Sequence, residues 1–180
     1  VYVQLKGHDL YTHKELKTYK RDHFHEYPGQ YRSRFLPYTR CTDILMNGIY
    51  WDINIPRLFE KEDLDESFAI QTIADITDDS NGSIPINLGD QTIIDPVYGV
   101  DRKTLTKTAA YLQNSIDVMA VGNLPNELPR DASRYFGEQL IKYILPDLLK
   151  GGSDIIERAT MLNKGALTRA FDYLNDYTAH

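Results

Sequence analysis

Apolar and polar positions change period several times along the chain, and each change marks an element. Val1 to Leu5 alternates apolar and polar side chains and predicts a short strand. Residues 7–34 mix His, Lys, Tyr, Arg and Glu with little period, which predicts an extended surface excursion with one helical turn near Gln30 to Phe35, closed by Pro37. Thr42 to Met46 is a compact apolar run ended by Asn47-Gly48, and Pro56 is placed to open a helix running through Asp63. Phe68 to Ile76 is nearly continuous in apolar character, the pattern of a strand covered on both faces. Residues 77–103 are rich in Asp, Gly, Asn and Pro and predict a long loop, with Thr92-Ile93-Ile94 as its one short extended piece. Leu105 to Leu112 fits helix or strand, and Ile116 to Val121 predicts a strand.

The period then becomes helical. Ala132, Tyr135, Phe136, Leu140, Tyr143 and Ile144 share one face of a helix starting at Pro129, interrupted at Pro146 and ended by Gly151-Gly152. Two shorter helices follow, the last carrying Leu167, Ala170, Phe171 and Leu174 as a packing stripe. Strands separated by long crossovers predict an α/β fold with a mainly parallel sheet, and such sheets place ligands at the carboxyl ends of their strands. Three strand ends, Asn47 to Trp51, Ile76 to Asp79 and Val121 to Leu124, are expected to line one rim. The last is the most informative: the apolar run breaks at Gly122-Asn123, passes two Leu-Pro steps and enters a helix. Pro125 and Pro129 stiffen that path.

Composition narrows the function classes. The 180 residues suffice for about one domain with a real core. A balance of 20 basic to 26 acidic residues, net −6, argues against nucleic acid as a partner. Cys41 is the single cysteine, so no intramolecular disulfide forms, and cytoplasm is the default compartment. No apolar stretch approaches the ~18 residues of a membrane span. Val1 stands where an initiator Met would, which suggests a piece of a longer chain.

Candidate chemistry is sparse. The acidic group Asp75, Asp78 and Asp79 with Asn81 and Gly82 fails the calcium-loop pattern: aligning Gly82 to the turn puts Thr77 first and Leu88 last, where Asp and Glu are required. Side chain to backbone turn bonds are the expected role. His23 and His25 sit in a polar stretch without a further ligand and read as solvated, while His8 and His13 point to nothing. Cys41 has no electropositive neighbours in sequence, and Trp51, the only tryptophan, reads as a packing anchor. No metal site and no catalytic residue is assigned.

Four ordered blocks carry a resemblance: Asn47-Gly48-Ile49-Tyr50-Trp51-Asp52 with Pro56-Arg57-Leu58; Ile73 to Asp79 through Gly82-Ser83-Ile84-Pro85; Thr92 to Gly99; and Val118 to Gly137. Together with Ala159-Thr160-Met161-Leu162 and Gly165 to Thr168, they make the chain similar to the saccharopine dehydrogenase (lysine-forming) and lysine-2-oxoglutarate reductase family, relatives of alanine dehydrogenase, from about Tyr27 to Tyr177. The resemblance implies the C-terminal part of a Rossmann-like domain over residues 1–124, then helices over 125–180 that return to an absent N-terminal domain. It implies NAD or NADP as cofactor, with the nicotinamide half held by Ile49, Tyr50, Ile76, Val121, Gly122, Asn123 and Leu124. The substrate would be an amino acid joined to an oxo acid.

Two features depart from that family. The Asp that usually precedes the His or Asn of its Leu-Pro turn is replaced by Gly122, which offers only close backbone approach. No G-x-G-x-x-G occurs, and the family's Lys and His acid-base pair has no counterpart, so a missing upstream segment is expected to supply them. Alone, the chain is expected to be inactive and to self-associate or to fold beside that segment. The alternatives are an alanine dehydrogenase-like enzyme and a non-catalytic dinucleotide-binding or interaction protein.

Overall fold

In a computed structural model, whose described residues are 1–178, the chain divides at Leu124/Pro125 into two compact units. The first begins with an aromatic module rather than a surface excursion: α1 (Gly7–Leu10), β1 (Tyr11–His13), α2 (Arg21–Glu26), β2 (Tyr31–Ser33) and α3 (Leu36–Thr39). β1 and β2 pair antiparallel. Phe24 stacks on Tyr11 at 4.6 Å and meets Tyr31 edge-on at 5.1 Å, contacts worth about 0.5–1.5 kcal/mol each beyond their burial. Tyr11, Phe24, Tyr31 and Phe35 are buried, so aromatic residues scattered among polar ones without a period form a core here. His13 is also buried, and its Nδ1 accepts the Glu15 and Leu16 amides, each at 3.1 Å. Nε2 therefore carries the proton and donates to Gln30 Oε1 at 3.0 Å. His23 joins the cluster through Tyr31 OH at 3.1 Å rather than lying in solvent. Val1 to Leu5 forms no strand, since no segment among the described residues pairs with it, and Val1, Tyr2 and Val3 are exposed.

The main sheet contains β3 (Ile44–Asn47), β4 (Thr72–Asp75), β5 (Val97–Asp101), β6 (Lys107–Thr108) and β7 (Ser115–Met119), in the spatial order β3-β4-β7-β5-β6. β3, β4 and β7 run parallel, while β5 lies antiparallel to both β7 and β6. The α/β class and its Rossmann-like parallel centre hold, in a sheet that is mixed. β5 falls inside the expected long loop. Gly99 hides it by interrupting the apolar pattern, and the reason is spatial: a Cβ there would collide with the Ala109 carbonyl and lie 2.6 Å from Thr108 Oγ1.

One sheet face carries the core. Ile73, Val100, Ile116 and Val118 are fully buried on it, under Ile55, Leu58, Phe59, Phe68, Ile70, Ile84 and Ile86 from the connecting segments. Along β4 burial alternates, with Ile73 and Asp75 buried and Thr72 and Ala74 half-buried, so the strand is covered on one face and not on both. The continuous run arises because Phe68 and Ile70 precede the strand and pack in the covering layer. The helix expected from Pro56 is reduced to a single 3-10 turn, Lys61–Asp63. Arg57 donates through Nε to the Gly82 carbonyl and through Nη2 to the Asn81 carbonyl, each at 2.9 Å, which ties this segment to the neighbouring loop while Ile55, Leu58 and Phe59 pack inward. β3 is an edge strand whose Ile44 and Met46 are exposed.

The second unit holds α4 (Pro129–Gln139), a π turn (Leu140–Ile144), α5 (Leu145–Leu149), α6 (Asp154–Ala159), a hairpin of β8 (Leu162–Asn163) and β9 (Ala166–Leu167), a 3-10 segment (Arg169–Leu174) and α7 (Asn175–Thr178). Pro146 sits in the first turn of α5, and the π turn before it absorbs the missing amide. Gly151 and Gly152 end the helix at φ +95° and +125°, as the sequence predicts. The expected last helix is 3-10, with Phe171 outside helical geometry and Leu167 in the hairpin. None of the described residues from Pro125 onward is buried, and Tyr135, Phe136, Ile141 and Leu149 are exposed.

Candidate functional site

The carboxyl ends of the parallel strands meet on one edge of the sheet. Asn47, at the end of β3, is in register with Asp75 at the end of β4, and Ala74 is in register with Met119 at the end of β7. The first two bends are stitched together: Ile76 N–H donates to the Asn47 carbonyl at 2.7 Å and Thr77 Oγ1 to the Ile49 carbonyl at 2.6 Å. The third is tied in by the long loop, where Gln91 N–H donates to the Ala120 carbonyl at 2.6 Å and Gln91 bridges Val121 in parallel. Ile49, Tyr50, Ile76, Val121, Gly122, Asn123 and Leu124 therefore lie along a single border. Tyr50 and Ile76 are exposed, Ile49, Gly122 and Leu124 half-buried, and Asn123 is exposed with φ +56°. Val121 is only 3% exposed, so it adds little open surface to the rim.

Beneath the border lies a buried polar network that sequence reading missed. Asp75, 1% exposed, accepts Asn47 Nδ2 at 2.8 Å and Asn87 Nδ2 at 2.9 Å, one on each carboxylate oxygen. Asn47 Nδ2 also donates to Ser83 Oγ at 2.8 Å, while its Oδ1 is buried without a partner. Asn87 Oδ1 accepts Gly89 N–H at 2.9 Å and Tyr98 OH at 3.3 Å, and Tyr98 OH accepts Leu88 N–H at 2.7 Å. Burial first, then the charges of Asp75, Asp78 and Asp90, push the Tyr98 phenol up to about 12 despite the Leu88 bond. Asp75 is thus a buried anchor for three segments, a stronger role than turn capping. The one sequence cue was a polar residue ending each of two apolar runs, at positions 47 and 75.

Two carboxylates face the glycine bend. A Cβ on Gly122 would lie 3.2 Å from Asp90 Oδ2 and 3.3 Å from Asp78 Oδ2, so these side chains fill the space where a residue at 122 would begin. Asp78 adopts φ +54° and accepts Asn87 Nδ2 at 3.2 Å. Partial burial, joined by repulsion from Asp90, Asp75 and Asp79, raises its carboxyl above the usual range, against the Asn87 bond, which lowers it. A rim with this charge disfavours a pyrophosphate and suits hydroxyl donors or a cationic ring. Trp51 leaves the rim and packs inward, its Nε1 donating to the Ile55 carbonyl at 2.9 Å. Cys41 is exposed and free. Among the described residues no three His, Cys, Asp or Glu side chains are grouped to hold a metal ion, and no helix is long and apolar enough to cross a membrane.

No protein-family model matches the chain. Over 94% of its length it is 28% identical to the mitochondrial alpha-aminoadipic semialdehyde synthase of Mus musculus and 26% identical to the alpha-aminoadipic semialdehyde synthase of Arabidopsis thaliana. Over 61% of its length it is 29% identical to the NAD(+), L-lysine-forming saccharopine dehydrogenase of Schizosaccharomyces pombe. The chain spans 21% of the mouse protein and 17% of the Arabidopsis one, about a fifth of the length of these relatives. By these matches the chain is a homologue of the alpha-aminoadipic semialdehyde synthases and of a lysine-forming saccharopine dehydrogenase, the group that its ordered blocks resemble.

Proposed function

We propose that this chain is the C-terminal portion of an NAD(P)-dependent oxidoreductase of the saccharopine dehydrogenase type, acting at the C–N bond that joins an amino acid to an oxo acid. The observation that carries the reading is the rim itself: three bends at the carboxyl ends of adjacent parallel strands, stitched edge to edge. Ile49, Tyr50, Ile76 and Leu124 offer apolar contact, and Val121, Gly122 and Asn123 offer backbone. When bound, the nicotinamide ring would supply the hydride chemistry. The residues present fit the nicotinamide-ribose half of the cofactor better than its phosphates, because Asp78 and Asp90 stand against Gly122 and can accept ribose hydroxyls.

On this reading residues 1–124 complete a Rossmann-like domain, and polypeptide outside the chain provides the glycine-rich phosphate turn and the acid-base pair. The helices over 125–180 dock on that polypeptide, a role supported by the exposed Tyr135, Phe136, Ile141 and Leu149. The exposed edge at β3 supports pairing with the same segment or with a second copy. The single cysteine supports a cytoplasmic setting.

The test is NADH-dependent turnover of lysine plus 2-oxoglutarate, measured for this chain and for one extended upstream through a glycine-rich turn. Only the extended form should turn over, and activity in the short form would overturn the assignment. Gly122 favours a second reading, a dinucleotide-binding protein without catalysis. That reading gains if the extended protein binds NADH yet acts on no amino acid in a substrate panel that includes alanine.

A further inference from the structure

Away from the rim contacts just described, a cleft of about 600 Å³ opens in the first unit between the aromatic module and the segments leaving the first two bends. Its size is that of a small-molecule site and far exceeds what a bare inorganic ion fills. Lys14 and Arg57 line it, with Glu60 as the carboxylate beside them. Glu60 is already neutralised by Arg57 Nη1 at 3.0 Å, so the wall carries a surplus positive charge in a chain whose net charge is −6. Both cations have donors to spare. An ammonium has three N–H groups and a guanidinium five. Lys14 uses one on the Gly29 carbonyl at 2.6 Å, and Arg57 uses three, on Gly82, Asn81 and Glu60.

The opposite requirement, a place for carbon, is met on the same lining. Trp51, Ile53 and Pro56 border the cleft, and Ile53 is 87% exposed, an apolar side chain with no cover from this chain. Arg57 is held by two backbone carbonyls, so it loses little freedom when its remaining donors bind. We propose that this cleft binds a small organic acid, its carboxylate on Lys14 and Arg57 and its carbon body against Trp51, Ile53 and Pro56. The inference stands apart from the dinucleotide reading, and its test involves neither cofactor nor turnover.

Trp51 is the only tryptophan, so its emission reports on the cleft directly. The full chain is titrated with hexanoate, and in parallel with acetate, hexylamine and inorganic phosphate. Hexanoate should change the emission saturably, acetate should bind more weakly, and hexylamine and phosphate should give no saturable change. Lys14→Gln should weaken hexanoate about tenfold, as expected for one lost charge-assisted bond, and Lys14→Arg should restore most of it. Lys14 is exposed, so neither variant threatens the fold. No saturable response to hexanoate, an equal response to phosphate or hexylamine, or unchanged affinity in Lys14→Gln would each overturn the proposal.

Discussion

Replacing Asn87 by alanine removes the node through which the buried network holds the long loop to the sheet. Asn87 is 1% exposed and makes four bonds: to Asp75 at 2.9 Å, to Asp78 at 3.2 Å, from Gly89 N–H at 2.9 Å and from Tyr98 OH at 3.3 Å. The bond to the buried Asp75 carboxylate is charge-assisted and contributes about 1.5–3 kcal/mol, and stranding Gly89 N–H adds about 1 kcal/mol. The Asp78 and Tyr98 bonds are longer and add little. The expected loss is about 2.5–4 kcal/mol, read as a lower midpoint in urea unfolding followed by Trp51 emission with an unchanged slope. In a double-mutant cycle with Asp75→Asn the two changes should couple by at least about 1 kcal/mol, since Asp75→Asn removes the charge that strengthens the bond Asn87→Ala deletes. A loss below about 1 kcal/mol, or additive effects, would refute the view that this network is a single anchored unit.

The remaining predictions concern the rim and the aromatic module. Gly122→Asp sets a third carboxylate against Asp78 and Asp90 and should cost about 1–2 kcal/mol at low salt, less at high salt, in thermal unfolding at two ionic strengths; a salt-independent loss would point to sterics instead. Asp78→Asn should stabilise the chain at neutral pH by less than about 1 kcal/mol, because the raised carboxyl means the folded state disfavours the ionised form. That penalty grows as pH rises from the ordinary carboxyl value, about 4, through the raised one, so the gain should vanish in acid; asparagine also accepts the left-handed backbone at 78. A gain that persists in acid would count against electrostatics as its cause. Phe24→Ala, at a buried ring contacting Tyr11, Tyr19 and Tyr31, should cost about 3–5 kcal/mol in urea unfolding; a loss under about 1 kcal/mol would mean that the module is not packed.

The parallel centre was legible because β3, β4 and β7 are short apolar runs ended by turn residues, and that signal is local. Their common rim followed from strand polarity alone. What escaped depends on distant neighbours. β5 was masked by Gly99, a residue dictated by the closeness of β6. The aromatic module escaped because Tyr and His count as polar until a partner ring covers them. A helix was expected from Pro56 because proline suits the first helical turn, yet Arg57 bonds to a loop 24 residues on and the segment packs with only a single 3-10 turn. The Asp75 network and the carboxylates around Gly122 are likewise set by long-range pairing, which no spacing encodes.

The rim is tested most directly by splitting the cofactor. Amide chemical shifts of the chain are followed during titration with reduced nicotinamide mononucleotide and, separately, with AMP. The nicotinamide half should move Ile49, Tyr50, Ile76, Gly122 and Asn123, while AMP should leave them in place. Shifts at the opposite sheet edge, around Asp43, Gln71 and Asn114, or a response of the rim to AMP alone, would contradict it.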